Sequence, residues 1–343
     1  MKVLLNALFV TIEDAYASLD GENIVIKRKE ETVARFPLHI LEAVYMFTYA
    51  GASPSLMGKC ADYGIDLVFC SPTGRFLART SGISRGNVLL RRTQYRLADS
   101  EEQSCKIARN FIFGKIRNSR QVIERARRDH PLVVDVEKLA KASAYLKAQM
   151  EEVLESSELE KLRGLEGNSA SSYFAVFDDL ILTAKDDFYF HGRNRRPPLD
   201  NVNALLSYAY IMLSSSCASA LETVGLDSYV GFMHRDRPGR TSLAQDLMEE
   251  LRPCMADRFV LTLINNKVVD KKDFLRQENG AVLLTDDGRK KLQKEWQAKK
   301  KEKIIHPYLK EKMEWGLVPY IQATLLARHI RGDLDGYPPF LWR

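Results

Sequence analysis

The chain has 343 residues, 45% of them hydrophobic and 28% charged, which excludes disordered and fibrous classes and leaves a globular protein long enough for two domains. Its formal charge of +6 is unevenly spread: residues 1–80 carry 8 Lys and Arg against 9 Asp and Glu, a net of −1, and the rest carries 43 against 36, a net of +7. A polyanionic partner would meet the later part of the chain.

The opening run 3–12 reads as an apolar strand. It only mimics a secretory signal, because Asn6 interrupts it and Glu13 and Asp14 stand where a cleavage region is uncharged. Asp20-Gly21 between apolar, strand-like stretches predicts a β-hairpin. A further strand is expected over 32–36, a short helix over 54–63, a buried strand over 65–70, and a turn over 71–74 leading into 76–78. No catalytic constellation stands out in this part.

From about Asn87 the apolar period lengthens to that of helices, predicted over 89–113, 121–128, 136–160, 165–184, 201–224, 242–265, 285–304 and 318–331. Gly192 with Pro197-Pro198, Pro238-Gly239 and Asp286-Asp287-Gly288 punctuate them. The expected fold class is α+β: a small β-rich domain over 1–80, a linker over 81–90, and a larger all-α domain over 91–343. The uncharged stretch 201–221 is long enough to span a bilayer, but its Ser, Asn and Tyr content predicts a buried, closely packed helix and no membrane partner. Five scattered cysteines (Cys60, Cys70, Cys105, Cys217, Cys254) lack a CxxC pair, as expected in a reducing cytoplasm.

Three segments carry candidate chemistry. In 231–253, GFMHRDRPGRTSLAQDLMEELRP, Ser242 and Gln245 form a capping-box pattern that predicts a helix start at Ser242. Asp246 and Glu249, three apart, share a face of that helix, and Leu243, Leu247 and Leu251 lie on another. His234 precedes it in a Gly/Pro/Arg-rich loop able to fold back. One imidazole with carboxylates favours Mg²⁺ or Mn²⁺ over zinc or copper; the bland alternative is macrodipole compensation and an ordinary hydrogen-bonded histidine. In 162–174, Glu166 sits between Gly164 and Gly167 and ahead of small residues, which reads either as a tight helix crossing or as a carboxylate brought to a partner helix. In 190–203, Arg193, Arg195 and Arg196 in a Gly/Pro loop, like Arg235, Arg237 and Arg240 beside the other motif, suit phosphate contact or mere solvation of a loop. The charge run 289–303 reads first as a solvated helix face and second as a nucleic-acid contact.

Taken in order and spacing, the segments 165–174 (LEGNSASSYF), 195–208 (RRPPLDNVNALLSY), 234–253 and 337–343 (YPPFLWR) resemble CRISPR-associated protein one, the adaptation endonuclease and integrase, over essentially the whole chain. The Arg/Pro loop and the ending resemble the subtype I-C branch. The resemblance implies a β-sandwich-like N-terminal domain that dimerises and a helical domain with a Mg²⁺ or Mn²⁺ site. It matches Glu166, His234 and Glu249 to the family's metal ligands, the last being Asp in many relatives. Asp246 matches a further acidic position, as ligand or supporting base, and Arg252 a basic position near bound DNA. It also implies duplex and branched DNA as substrates, and a small partner, CRISPR-associated protein two, bridging two homodimers. The expected reaction is metal-assisted attack of a 3′-hydroxyl, or of water, on a phosphodiester, with His234 as ligand or as proton donor to the leaving oxygen. The competing readings are a non-catalytic helical nucleic-acid scaffold and a metal-dependent phosphodiesterase acting on RNA or small cyclic nucleotides.

Overall fold

The computed structural model describes residues 2–4, 6–41, 43–72, 76–80, 87–194 and 197–342. Most of the expected linker, Thr73 and Gly74 of the expected turn, Arg195, Arg196 and Arg343 lie outside the described residues.

Among the described residues, the N-terminal part comprises eight strands, one α-helix and a 3-10 turn over Leu38–Ile40: β1 (Lys2–Leu4), β2 (Ala7–Val10), β3 (Ala15–Asp20), β4 (Asn23–Arg28), β5 (Glu31–Pro37), β6 (Ala43–Met46), α1 (Pro54–Tyr63), β7 (Asp66–Cys70) and β8 (Phe76–Arg79). They form a five-stranded sheet, β1-β2-β6-β7-β8, and a three-stranded sheet, β3-β4-β5. The expected strand over 3–12 is split by Asn6, whose φ of 59° turns β1 back on β2. The Asp20-Gly21 hairpin is present, with Gly21 at φ 57°. Strand β6 was not foreseen; it runs parallel to both β2 and β7 at the centre of the sheet.

Because successive strand residues face opposite sides, β2 serves two cores. Leu8 and Val10 pack with Ile24, Ile26 and Leu56 between the N-terminal layers. Ala7 and Phe9 point the other way, into the helical part, with Tyr45 and Phe47. There Phe47 meets Tyr320 edge-on, with ring centroids 5.1 Å apart. The two parts share a packed boundary.

The C-terminal part is mostly helical. It comprises α2 (Asn87–Asp99), α3 (Glu101–Asp129), α4 (Val136–Glu155), α5 (Leu159–Ala175), α6 (Asn201–Thr223), α7 (Ser242–Leu251), α8 (Arg258–Asn265), α9 (Asp286–Lys301) and α10 (Val318–Arg331). It is not all-α as expected: β9 (Phe274–Arg276) pairs with β10 (Val282–Leu284), and β11 (Lys303–Ile305) with β12 (Lys312–Glu314). The expected helices 89–113 and 121–128 break elsewhere, at Ser100, whose hydroxyl caps Gln103 N–H at 3.4 Å; from there α3 runs unbroken to Asp129. The apolar residues 176–182, inside the helix expected over 165–184, instead leave α5 in a non-α segment with a 3-10 turn over Asp178–Leu180 that buries Phe177, Leu180 and Ile181.

Helix α6 is, among the described residues, the one helix long and apolar enough to cross a membrane. It is the core helix of this part, with Leu205, Leu206, Leu213 and Leu221 buried, and Asp200 caps it by accepting from Asn203 N–H at 2.7 Å. The expected helix 242–265 is α7 and α8 joined by a π turn over Arg252–Asp257. Pro253 lies in that turn; proline has no N–H for the regular ladder, and the widened turn accommodates it.

Candidate metal and phosphodiester site

Three helices and one loop meet at the candidate site. α3 supplies Lys115, α5 supplies Glu166, α7 supplies Glu249 and Asp246, and the loop before α7 supplies His234. α3 approaches α7 closely because residue 114 is glycine. A Cβ there would stand 2.9 Å from Glu250 Cβ and 3.2 Å from Pro339 Cβ. The glycines beside Glu166 play no such part, since a Cβ on Gly164 or Gly167 would meet nothing within 4 Å. The close approach that Gly114 permits is that of α3 to α7, not one at α5.

Glu166 and Glu249 do meet, on a cation. Lys115 Nζ is ion-paired to Glu166 Oε1 and lies 2.6 Å from Glu249 Oε2. On its other side Glu249 receives Arg252 Nη1 at 2.8 and 3.0 Å. Arg252 is buried, with its guanidinium 4.3 Å from the Tyr210 ring centroid, so it stands inside the protein as the partner of Glu249. Burial by itself would raise the Glu249 carboxyl, but Arg252, Lys115 and His234 outweigh it and hold the group far below the usual carboxylate range. Beyond Arg252, the Tyr210 hydroxyl donates to Asp257 at 2.5 Å, and burial pushes the Asp257 carboxyl up to about 6.

Asp246 is fully buried and fully employed. Its Oδ2 accepts the N–H groups of Phe232 and Met233 at 2.7 and 3.0 Å, and its Oδ1 accepts the His234 N–H at 3.0 Å and His234 Nδ1 at 2.6 Å. A carboxylate can only accept, so Nδ1 carries the proton of this bond and Nε2 points away from Asp246. The fit depends on Gly231, where a Cβ would lie 2.9 Å from Asp246 Oδ2 and 3.0 Å from the His234 carbonyl. Arg163 on α5 donates from Nη2 and Nε to the Met233 carbonyl at 2.7 and 3.1 Å, and Glu160 receives both Arg163 and Arg235. The expected capping box is absent: Ser242 Oγ donates to the Arg235 carbonyl, Gln245 reaches Ser214 Oγ, and α7 begins without a side-chain cap. His234 borders a cleft of about 460 Å³ lined also by Tyr95, Leu159, Arg163 and Arg235.

The donor set is two carboxylates and one imidazole, a chemistry suited to Mg²⁺ or Mn²⁺. A cation already bridges the two carboxylates, in the form of the Lys115 ammonium. Among the described residues, no three His, Cys, Asp or Glu side chains stand close enough to hold an ion as they are. The residues suit a divalent ion in charge and donor type, with Lys115 in its place.

The arginines divide. Arg193 is tied inside its loop, donating to the Asn194 carbonyl, Asn203 Oδ1 and Ser207 Oγ at 2.5, 2.6 and 3.1 Å, 5.2 Å from the Tyr210 ring centroid. It braces the loop against the start of α6. Arg235 and Arg237 are exposed and Arg240 half-buried on the loop that carries His234. On α9, Arg289, Lys291 and Lys299 are ion-paired to Asp286, Asp273 and Glu302, so the charge run is only partly a free face.

The model of the CRISPR-associated protein Cas1 family matches residues 8–298. The chain belongs to the Cas1 family. Among curated Cas1 proteins, a CRISPR-associated endonuclease Cas1 of Chlorobaculum tepidum is 47% identical over 343 residues and one of Rhodospirillum rubrum is 48% identical over 350, each alignment covering all of both chains. The Cas1 fold recurs in a Cas1 protein from Thermotoga maritima, with a TM-score of 0.74 at 20% identity, covering 95% of this chain and 96% of that one. It recurs also in a casposase bound to an integration product, with a TM-score of 0.78 at 22% identity, covering 98% and 99%.

Lys115, Arg163 and Glu160 were not singled out from the sequence. Lys115 had left a trace: with Phe111, Asn118 and Val122 it recurs at helical spacing on the buried stripe of α3, where an unpaired lysine would not be tolerated.

Proposed function

We propose that this chain is a metal-dependent DNA endonuclease and integrase of CRISPR spacer acquisition, joining the 3′-hydroxyl ends of captured DNA to phosphodiesters of the repeat by strand transfer. The observation that carries the reading is the convergence of Glu166 and Glu249 on one cation, beside an imidazole aimed by a buried carboxylate, in a chain whose full-length relatives are named endonucleases. Glu166, Glu249 and His234 Nε2 are the groups that would hold a Mg²⁺ or Mn²⁺, which when bound supplies Lewis acidity to the target phosphate.

The protein's own residues do the rest. Asp246 is a positioning residue: it fixes the Nδ1–H tautomer of His234 and leaves the Nε2 lone pair as the free donor, which favours ligation over proton donation. Arg252 keeps Glu249 ionised and in place. Arg163 anchors the backbone of the His234 loop through the Met233 carbonyl. Arg235, Arg237 and Arg240, on the same loop, track backbone phosphates without reading bases, and Arg195 and Arg196 are assigned that role on sequence alone.

The partners proposed are duplex and branched DNA, a second copy of this chain, and Cas2 bridging two such dimers. A solved structure titled as a partial Cas6-RT-Cas1–Cas2 complex shares this fold, with a TM-score of 0.74. A cytoplasmic location and assignment to subtype I-C complete the proposal.

The test is strand transfer with the small partner, a labelled DNA end and a repeat duplex, in Mn²⁺ and in EDTA. Alanine at Glu166, His234 or Glu249 should abolish joined product while DNA binding persists. Metal-dependent product from all three variants would overturn the site. DNA complexes without product from the unaltered protein would favour the scaffold reading.

A further inference from the structure

Lys115 is placed unlike any other lysine described here. Its side chain is only 9% exposed, and among the described residues its hydrogen-bonding and ion-pair partners are Glu166 and Glu249. With Arg252 against the far side of Glu249, the group of four has two negative and two positive charges. A divalent ion added to that balanced set would leave two positive charges in excess beside a carboxylate that is 6% exposed, a costly arrangement in a desolvated site. One cation must leave for another to enter.

The structure indicates which one. Arg252 is buried, stacked on Tyr210 and bonded to both Glu249 oxygens, so it is held on several sides. Lys115 is a point charge on a flexible four-carbon stem. The backbone beneath it is fixed, because Gly114 lies against Glu250 and Pro339; the movement therefore falls to the side-chain torsions and not to α3. A tight cavity of about 10 Å³ adjoins Lys115, lined by Ser169, Tyr173 and Asp257. Ser169 Oγ is buried there without a hydrogen-bond partner, an acceptor placed for a displaced ammonium.

We propose that Lys115 is an internal counter-cation of the acidic site: its ammonium holds Glu166 and Glu249 together in the metal-free protein and yields its position when a divalent ion binds. This rests on the reading of those two carboxylates as metal ligands. Carboxylates that repel each other are kept assembled before the ion arrives, and the ion is bound less tightly than the same pair would bind it bare.

The experiment is Mn²⁺ binding to the full-length protein without DNA, followed by the loss of the free-ion paramagnetic resonance signal, together with thermal unfolding in EDTA and in Mn²⁺. Lys115→Met should bind Mn²⁺ about tenfold tighter or more, because nothing has to be displaced. It should melt below the unaltered protein in EDTA and regain the difference in Mn²⁺. Lys115→Arg retains a cation and should bind no tighter than the unaltered protein. If Lys115→Met binds Mn²⁺ equally or more weakly while Glu166→Gln abolishes binding, the counter-cation proposal is overturned and the metal site stands. If Glu166→Gln binds Mn²⁺ as the unaltered protein does, the metal site fails and the proposal with it.

Discussion

Asp246→Asn puts the positioning of His234 to the test. The change is nearly isosteric, at a residue with no exposure. The carboxylate satisfies four N–H donors at 2.6 to 3.0 Å, two on each oxygen. Asparagine keeps one acceptor oxygen and presents an NH₂ where the other stood, so two donors lose their acceptor in a buried place. At roughly 1.5–3 kcal/mol for each bond to a charged group, the loss is about 3 to 6 kcal/mol. It is felt first in the loop 231–241, which then detaches from α7. If the amide turns its NH₂ toward Nδ1, that nitrogen must become the acceptor and Nε2 carries the proton, so Nε2 no longer offers a lone pair. Urea unfolding reads the stability and strand transfer with the small partner reads the tautomer. An unfolding midpoint and a joining rate both equal to those of the unaltered protein would refute the reasoning.

Three further outcomes follow from the same geometry. The His306 imidazole, held neutral at about 4 by burial against an ordinary 6.5, takes up its proton more readily in the unfolded chain. Its stabilising contribution is full above about 6.5 and is lost as the pH falls towards 4, by about 3 kcal/mol; unfolding free energies against pH should show a flatter acid limb for His306→Gln, and parallel curves would contradict this. Gly114→Ala forces a Cβ to 2.9 Å from Glu250 Cβ and should cost about 1–3 kcal/mol as α3 and α7 part; an unchanged melting temperature would show that the contact is not tight. Replacing Arg237 and Arg240 together by alanine should leave melting unchanged and reduce the slope of log affinity for duplex DNA against log salt by about 2. An unchanged slope would remove that loop from the DNA path.

Much of the fold was legible because its signals are local. Asp20-Gly21 marks a hairpin through backbone conformation alone, and α6 and α10 run close to their predicted bounds because uncharged or periodic stretches end at clear breaks. Errors arose where a local signal had two readings. The apolar run after α5 has helical composition, yet its residues are buried from an irregular segment, which periodicity cannot distinguish. Ser100 and Gln103 have the spacing of a cap and form one, whereas Ser242 and Gln245 have the same spacing but each side chain finds a tertiary partner.

The site was legible in part for the same reason. The spacing of Asp246 and Glu249 put both on α7, but only the packing of α7 against α3, α5 and the His234 loop separates their roles, with Asp246 on four N–H groups and Glu249 between two cations. Arg193 and Arg252 each pack against Tyr210 and are tied to neighbouring side chains, contacts that charge in a sequence does not record. Lys115 lies fifty-one positions before Glu166, and no pattern of neighbouring residues records a meeting across that distance.

The central claim is that Glu166, Glu249 and His234 grip one divalent ion. Crystals soaked in Mn²⁺, measured at the manganese absorption edge, test it directly. One anomalous peak should appear in contact with Glu166, Glu249 and His234 Nε2, with Lys115 Nζ withdrawn from the two carboxylates. Density still showing the ammonium between them, with no manganese there at saturating soak, would contradict it.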